Sequence, residues 1–299
     1  MHRILQQKYI VFLFILIFAY ACKPDQGGKT EQSNVSKDEI DTSAVLLKYN
    51  ETLFTVPSPY QATSILEKND IALNKSLLNS VNNYKRYNTS FKQALNIGVY
   101  GTDLGYLNIY GQSTDCISYF SVIKKLSEDL GIKGALDAQK LNRIEKNIQN
   151  KDSLLYYMSS TYRLIDSYLK KNDRKEIGAL IIAGGWIESV YLLSQAILES
   201  NNRNLINRLG EQKHPLNNLI ELLSSYYYDS DKYTSLIDSL VDLAYEYDGI
   251  MYNYYYEEPR IYPDKKLTVV QSRSNVVISK YHIQSIAGKI KKIRNKIIE

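Results

Sequence analysis

The segment IGALIIAGGWIESVYLLSQAIL, residues 177–198, constrains this chain more than any other. Its 22 positions carry one charge, Glu188, and apolar residues fall on every face of the helix they would form. A helix that is apolar all round belongs inside a protein core or across a bilayer. Glu188 near its middle, the Gly184-Gly185 pair and an export leader upstream favour a central core helix. Asp173 and Glu176 ahead of it have the spacing of a capping box.

Elsewhere apolar residues recur every three or four positions, which predicts an all-α body: a multi-helix bundle or helical array around that one fully buried helix. Tyr233, Leu236, Leu240, Leu243, Tyr247, Ile250 and Tyr254 form one stripe, and Leu155, Met158, Tyr162, Ile165 and Leu169 form another. Asp152 or Ser153 would cap the second. Leu216, Leu219, Leu223 and Tyr226 follow Pro215, placed at a first helical position. Tyr119, Ile123, Leu126 and Leu130 lead to Gly131, which would cap in the left-handed conformation. Shorter helices are expected around 40–50, 59–68, 71–87 and 137–149. Residues 257–272, with Pro259 and Pro263, read as a loop with a short extended piece at 267–270. The last helix carries Ile283, Ile286, Ile290, Ile293 and Ile297 on one stripe. Around them Lys289, Lys291, Lys292, Arg294 and Lys296 read as a solvated face that complements the helix macrodipole, or as a contact for anionic head groups or a partner.

The first residues fix a destination. Residues 1–8 carry His2, Arg3 and Lys8 and no acid, and the thirteen residues 9–21 are uncharged. That order is a secretory signal, and thirteen apolar residues are short of the roughly 20 that span a bilayer. Ala19 and Ala21 precede Cys22, as in a lipobox, which would make Cys22 the acylated mature N-terminus. Residues 22–37, polar and containing Gly27 and Gly28, read as a flexible tether. A single all-α domain from 38 to 299 follows. Lys23 rather than Asp after the cysteine favours the outer membrane.

Composition removes several classes. A net charge of +5, part of it from Arg3 and Lys8 in the leader, is too mild for nucleic acid. Two cysteines and three histidines exclude disulfide scaffolds and Cys/His metal sites, and no cofactor motif is present. Cys116 follows Asp115 and has no histidine near it, so it reads as a buried apolar filler.

The leader with Cys22, NIGVYGTDLGYLNIYGQ at 96–112 and ALIIAGGWIESVYL at 179–192 together resemble a group of uncharacterised helical lipoproteins of Bacteroidota. That resemblance implies localisation and fold, and no mechanism.

Gly98, Gly101 and Gly105 read as a surface for close helix packing, since a phosphate cradle would need a preceding strand and a following Lys-Ser/Thr. Asp103 and Glu188 are the two carboxyls on the most apolar elements. Sharing a pocket, they could perform acid/base chemistry; buried, they would accept hydrogen bonds within a polar cluster. Tyr252, Tyr254, Tyr255, Tyr256 and Tyr262 cluster beside a loop and suit a saccharide or an envelope protein. The expected function is a lipid-anchored cell-envelope binding or scaffold protein without catalytic activity. The alternative is an envelope enzyme using Asp103 and Glu188.

Overall fold

The computed structural model describes residues 45–49, 52–56, 59–132, 138–147, 150, 153 and 167–299. All of them belong to the second of two units, Thr42–Glu299, the first being Met1–Asp41. The leader, the tether and most of the helix expected over 155–169 lie outside the described residues. Where a helix was expected at 40–50, β1 (Val45–Tyr49) instead pairs antiparallel with β2 (Thr52–Val56). The aliphatic, aromatic and threonine side chains on both sides of Asn50-Glu51 suit a hairpin better than a helix. The helix expected at 59–68 is α1 (Pro59–Lys68). That expected over 71–87 is replaced by two 3-10 turns, Lys75–Leu77 and Val81–Arg86, because Asn74 and Ser80 accept backbone N–H groups at Ser76 and Asn82. Such local side-chain bonds compete with a continuous helix.

The glycine-bearing segment is helical throughout as α2 (Ser90–Ile109), capped by Thr89. It is followed by α3 (Ser113–Asp129), closed by Gly131 at φ 74°, and by α4 (Ala138–Asn147). The apolar segment is α5 (Lys175–Ser200). Its expected capping box does not form: Asp173 is left-handed at φ 54°, and the cap position is Arg174, whose Nη1 donates to the Leu130 carbonyl at 3.0 Å. Helices α6 (Arg203–Gly210), α7 (Lys213–Ser224) and α8 (Asp231–Asp248) complete that stretch. Pro215 is the third residue of α7, not the first. Helix α8 stops at Gly249, and Tyr254, expected on its stripe, lies instead in β3 (Met251–Tyr255). The three-four spacing simply continues by coincidence into a strand rich in tyrosine.

Strand β3 pairs with β6 (Arg273–Val277), and between them β4 (Arg260–Tyr262) pairs with β5 (Leu267–Val269). Residues 251–277 are thus a two-stranded ribbon where the sequence suggested the end of a helix and a loop. The chain closes with α9 (Lys280–Ile298), whose expected isoleucine stripe is buried.

Helix α5 sits at the centre, packed by α1, α2, α6, α7 and α9. It is long and apolar enough to cross a membrane, yet 94% of its most apolar window is buried inside the protein. The glycines explain how two bulky apolar helices approach so closely. A Cβ on Gly98 would run into the backbone of Ile181 and Gly185, and one on Gly184 into the carbonyl of Leu95. Thr102 Oγ1 reaches across the same crossing to the Gly185 carbonyl at 3.0 Å. Gly105, in contrast, has open space where a Cβ would stand. Gly184→Ala and Gly98→Ala should therefore lower stability by about 3 kcal/mol or more, beyond ordinary overpacking because backbone must move. Gly105→Ala should be neutral or gain up to about 1 kcal/mol of helix propensity. Thermal melting of the three variants checks this, and equal effects at Gly98 and Gly105 would refute the crossing.

Candidate functional site

Helices α2, α5 and α9 each place one charged side chain in the same buried spot. Asp103 from α2 and Glu188 from α5 are both 0% exposed, and Arg294 from α9 is 6% exposed. Arg294 grips Glu188 with two parallel bonds, Nε to Oε2 at 2.9 Å and Nη2 to Oε1 at 3.0 Å. Nη2 also donates to the Leu77 carbonyl at 2.9 Å, and the guanidinium lies 4.6 Å from the Tyr191 ring centre. This fork geometry is the strongest form of the ion pair. Asp103 lies within hydrogen-bonding reach of Glu188. Its Oδ2 accepts the Asn79 N–H at 3.0 Å, while its Oδ1 faces no donor.

Two carboxyls in contact are both acceptors unless a proton lies between them. Burial and the adjacent Glu188 charge push Asp103 well above the ordinary carboxylate range, outweighing Arg294 and the Asn79 amide. Burial pushes Glu188 up as well, but Arg294 and a hydrogen bond from Asp103 pull it back. Both shifts favour the arrangement in which Asp103 holds the proton and donates it toward Glu188, whose carboxylate answers Arg294. Around it Asn79 Nδ2 bonds the Tyr87 hydroxyl and Asn96 Oδ1, at 3.0 and 3.2 Å. Asn96 Nδ2 and the Tyr87 hydroxyl in turn cap the Ile297 and Ile298 carbonyls at the end of α9.

The structure thus brings Asp103 and Glu188 together, as the sequence allowed, and places Arg294 against them, which the sequence reading assigned to a solvated face. The signal was present: Arg294 falls between Ile290, Ile293 and Ile297 on the buried stripe. Cys116 is buried, and burial with the neighbouring Asp115 pushes its thiol up to about 12. Among the described residues no group of three or more His, Cys, Asp or Glu side chains could hold a metal ion.

The tyrosine cluster lies apart, on the ribbon. Tyr252 anchors it, its hydroxyl donating to the Gly210 carbonyl at 2.7 Å, while Val276 packs over Gly210. Beyond that root Ser272 bonds both the amide and the carbonyl of Glu257, and Arg273 pairs with Glu257 at 3.0 Å. Tyr254, Tyr255, Tyr256 and Tyr262 are 40–70% exposed. Sixteen large apolar side chains are exposed among the described residues, and eleven of them lie between Met251 and Val277. Cys22 lies outside the described residues.

Comparison with protein-family models, with curated proteins and with solved structures returns no match.

Proposed function

We propose that this chain is a lipid-anchored cell-envelope binding protein without catalytic activity, whose binding element is the ribbon of residues 251–277. The concentration of exposed tyrosine and aliphatic side chains on that ribbon carries the reading. Every residue of β3, β4 and β5 is exposed, and Val276 of β6, packed over Gly210, roots the ribbon on the helical body. An isolated two-stranded hairpin is marginal in water, and apolar patches of this kind mark interaction sites. Among the described residues β3 pairs with no strand other than β6, and it has neither a charge nor a proline to discourage pairing. A protein partner that adds a strand would use both the edge and the tyrosines.

The leader ending in Ala21-Cys22 supports acylation of Cys22, retention at the outer membrane and membership of the Bacteroidota helical lipoproteins that the sequence resembles. Multiple acyl chains on one cysteine make release from the bilayer negligible. The catalytic alternative lacks an opening: Asp103 and Glu188 are fully buried and committed to each other, Asn79 and Arg294.

Crosslinking on intact cells tests the reading. Wild-type protein should remain in the membrane fraction and form a discrete crosslinked complex. Cys22→Ala should lose the membrane fraction, and Tyr254→Ser/Tyr256→Ser/Ile261→Ser should keep its melting temperature and lose the complex. Unchanged crosslinking in the ribbon variant would sink the proposal, and loss of binding to envelope polysaccharide alone would replace the protein partner with a saccharide.

A further inference from the structure

One strand of the ribbon carries a self-matching order of side chains. Strand β3 reads Met251-Tyr252-Asn253-Tyr254-Tyr255, and all five residues are exposed. The body holds the other strand: Val276 of β6 packs over Gly210, and its carbonyl accepts from Arg203 of α6. Among the described residues β3 pairs with no strand except β6. Met251, Tyr254 and Tyr255 are each more than half exposed, whereas Tyr252 is fixed by its hydrogen bond to the Gly210 carbonyl.

A strand that pairs antiparallel with its own copy does so about a two-fold axis, so a charge on the axis would face the same charge. With the axis at Asn253, one side-chain amide faces another, and each can both donate and accept. Tyr252 of each copy then faces Tyr254 of the other, and Met251 of each faces Tyr255 of the other, which uses the whole strand. An axis at Tyr254 would set Glu257, already paired with Arg273, opposite Met251. An axis at Tyr252 would call on Ile250, which is buried. The bodies fix the direction. Helix α8 ends at Asp248 and α9 starts at Lys280, so each body adjoins the Met251 end of its own ribbon. Antiparallel pairing places the two bodies at opposite ends of the joined strands, whereas parallel pairing would bring them side by side.

We infer that the partner of this strand is a second copy of the chain, joined β3 to β3 in an antiparallel pair centred on Asn253, which makes the two ribbons one four-stranded sheet. This pairing rests on the ribbon's proposed role as a strand-adding element and names the partner. Tyr252 and Tyr254 of both copies meet as cross-strand aromatic pairs on the face that Val276 roots in the body. A junction of five residues a side is small beside interfaces that hold in dilute solution. Copies anchored in one membrane, as proposed for Cys22, meet at a raised effective concentration.

The test uses membranes carrying the full chain under two different tags. After formaldehyde fixation wild-type copies should co-purify. Asn253→Lys and Asn253→Glu, each alone, set like charges across the axis and should lose co-purification at an unchanged melting temperature, since the residue is exposed. Expressed together, the two should recover it. Asn253→Cys should link two copies under a mild added oxidant, because directly opposed Cα atoms, about 4.5–5.5 Å apart, fall within the span of a disulfide. Asn275→Cys, opposite Asn253 on β6, should not link, since three strand spacings put it about 14 Å from its counterpart. Cys116 is buried, and wild type is the control. Linking at Asn275 but not at Asn253, or unchanged co-purification of either charge variant alone, would overturn the inference. A fixed complex with a different protein and no Asn253→Cys dimer would also overturn it while leaving the ribbon's role in binding intact, and no complex of any kind would remove both.

Discussion

Glu188→Gln is expected to cost about 3–5 kcal/mol at neutral pH, because it removes the one carboxylate that answers a buried guanidinium. Arg294 is 6% exposed, and its remaining acceptor, the Leu77 carbonyl, does not carry charge. Seen from sequence alone, Gln is a near-neutral replacement that keeps the hydrogen bonds of a lone buried carboxyl. The two-bond grip from Arg294 changes that expectation. Asp103 is the carboxyl left near the stranded cation, and giving up its proton recovers part of the loss. Adding Asp103→Asn should therefore deepen the defect. Replacing both partners, Glu188→Met with Arg294→Met, should be less harmful than either single change, since no unpaired charge remains. Denaturant titrations at pH 7 measure all five, and a Glu188→Gln variant within about 1 kcal/mol of wild type would show that the charge of Glu188 adds little to stability.

The helical framework was legible because its signal is local. Helices α2, α3, α5, α7 and α9 each repeat apolar side chains at helical spacing or are apolar throughout, and Gly131 closes α3 as a left-handed cap. What misled lay at the ends of elements, where several local choices compete. Ile250 and Tyr254 prolong the stripe of α8 after the chain has already turned into β3, and a three-four match cannot distinguish a last helical turn from the first residues of a strand. The ribbon was hidden for the same reason, since its pairing joins residues about twenty apart, such as Tyr255 and Arg273.

The buried cluster was half legible. A charge within an apolar run, as at Glu188 and Asp103, announces that a partner must exist, because an isolated buried carboxylate is too costly. Which partner is a question of three-dimensional register between helices 106 residues apart, from Glu188 to Arg294. Lysine-rich surroundings then disguised Arg294 as one more solvated cation. Its planar fork, unlike a lysine ammonium, can bind both carboxylate oxygens while stacking on Tyr191, which makes arginine the residue suited to burial there.

Asp103→Asn should make the protein more stable as pH rises, and the gain should vanish toward pH 4. In the folded state burial and Glu188 hold the Asp103 carboxyl well above its ordinary 3.8, so the folded chain keeps a proton that the unfolded chain releases. A group raised in this way contributes its full stability below its unfolded value and loses it as pH climbs toward its folded value. The cost grows by about 1.4 kcal/mol per pH unit across that window. Glu188, also raised by burial, acts in the same direction. Glu246, which Lys289 holds below the ordinary range, acts in the opposite one and is untouched by the substitution. Asparagine reproduces the protonated acid: its carbonyl can accept the Asn79 N–H and its amide can donate to Glu188, with no proton to take up. Melting temperatures of wild type and Asp103→Asn measured from pH 4 to pH 8 should diverge as pH rises above the unfolded value of Asp103, the variant higher. A variant equally destabilised across that whole range would mean that Asp103 is ionised in the folded state and that the cluster carries a net negative charge.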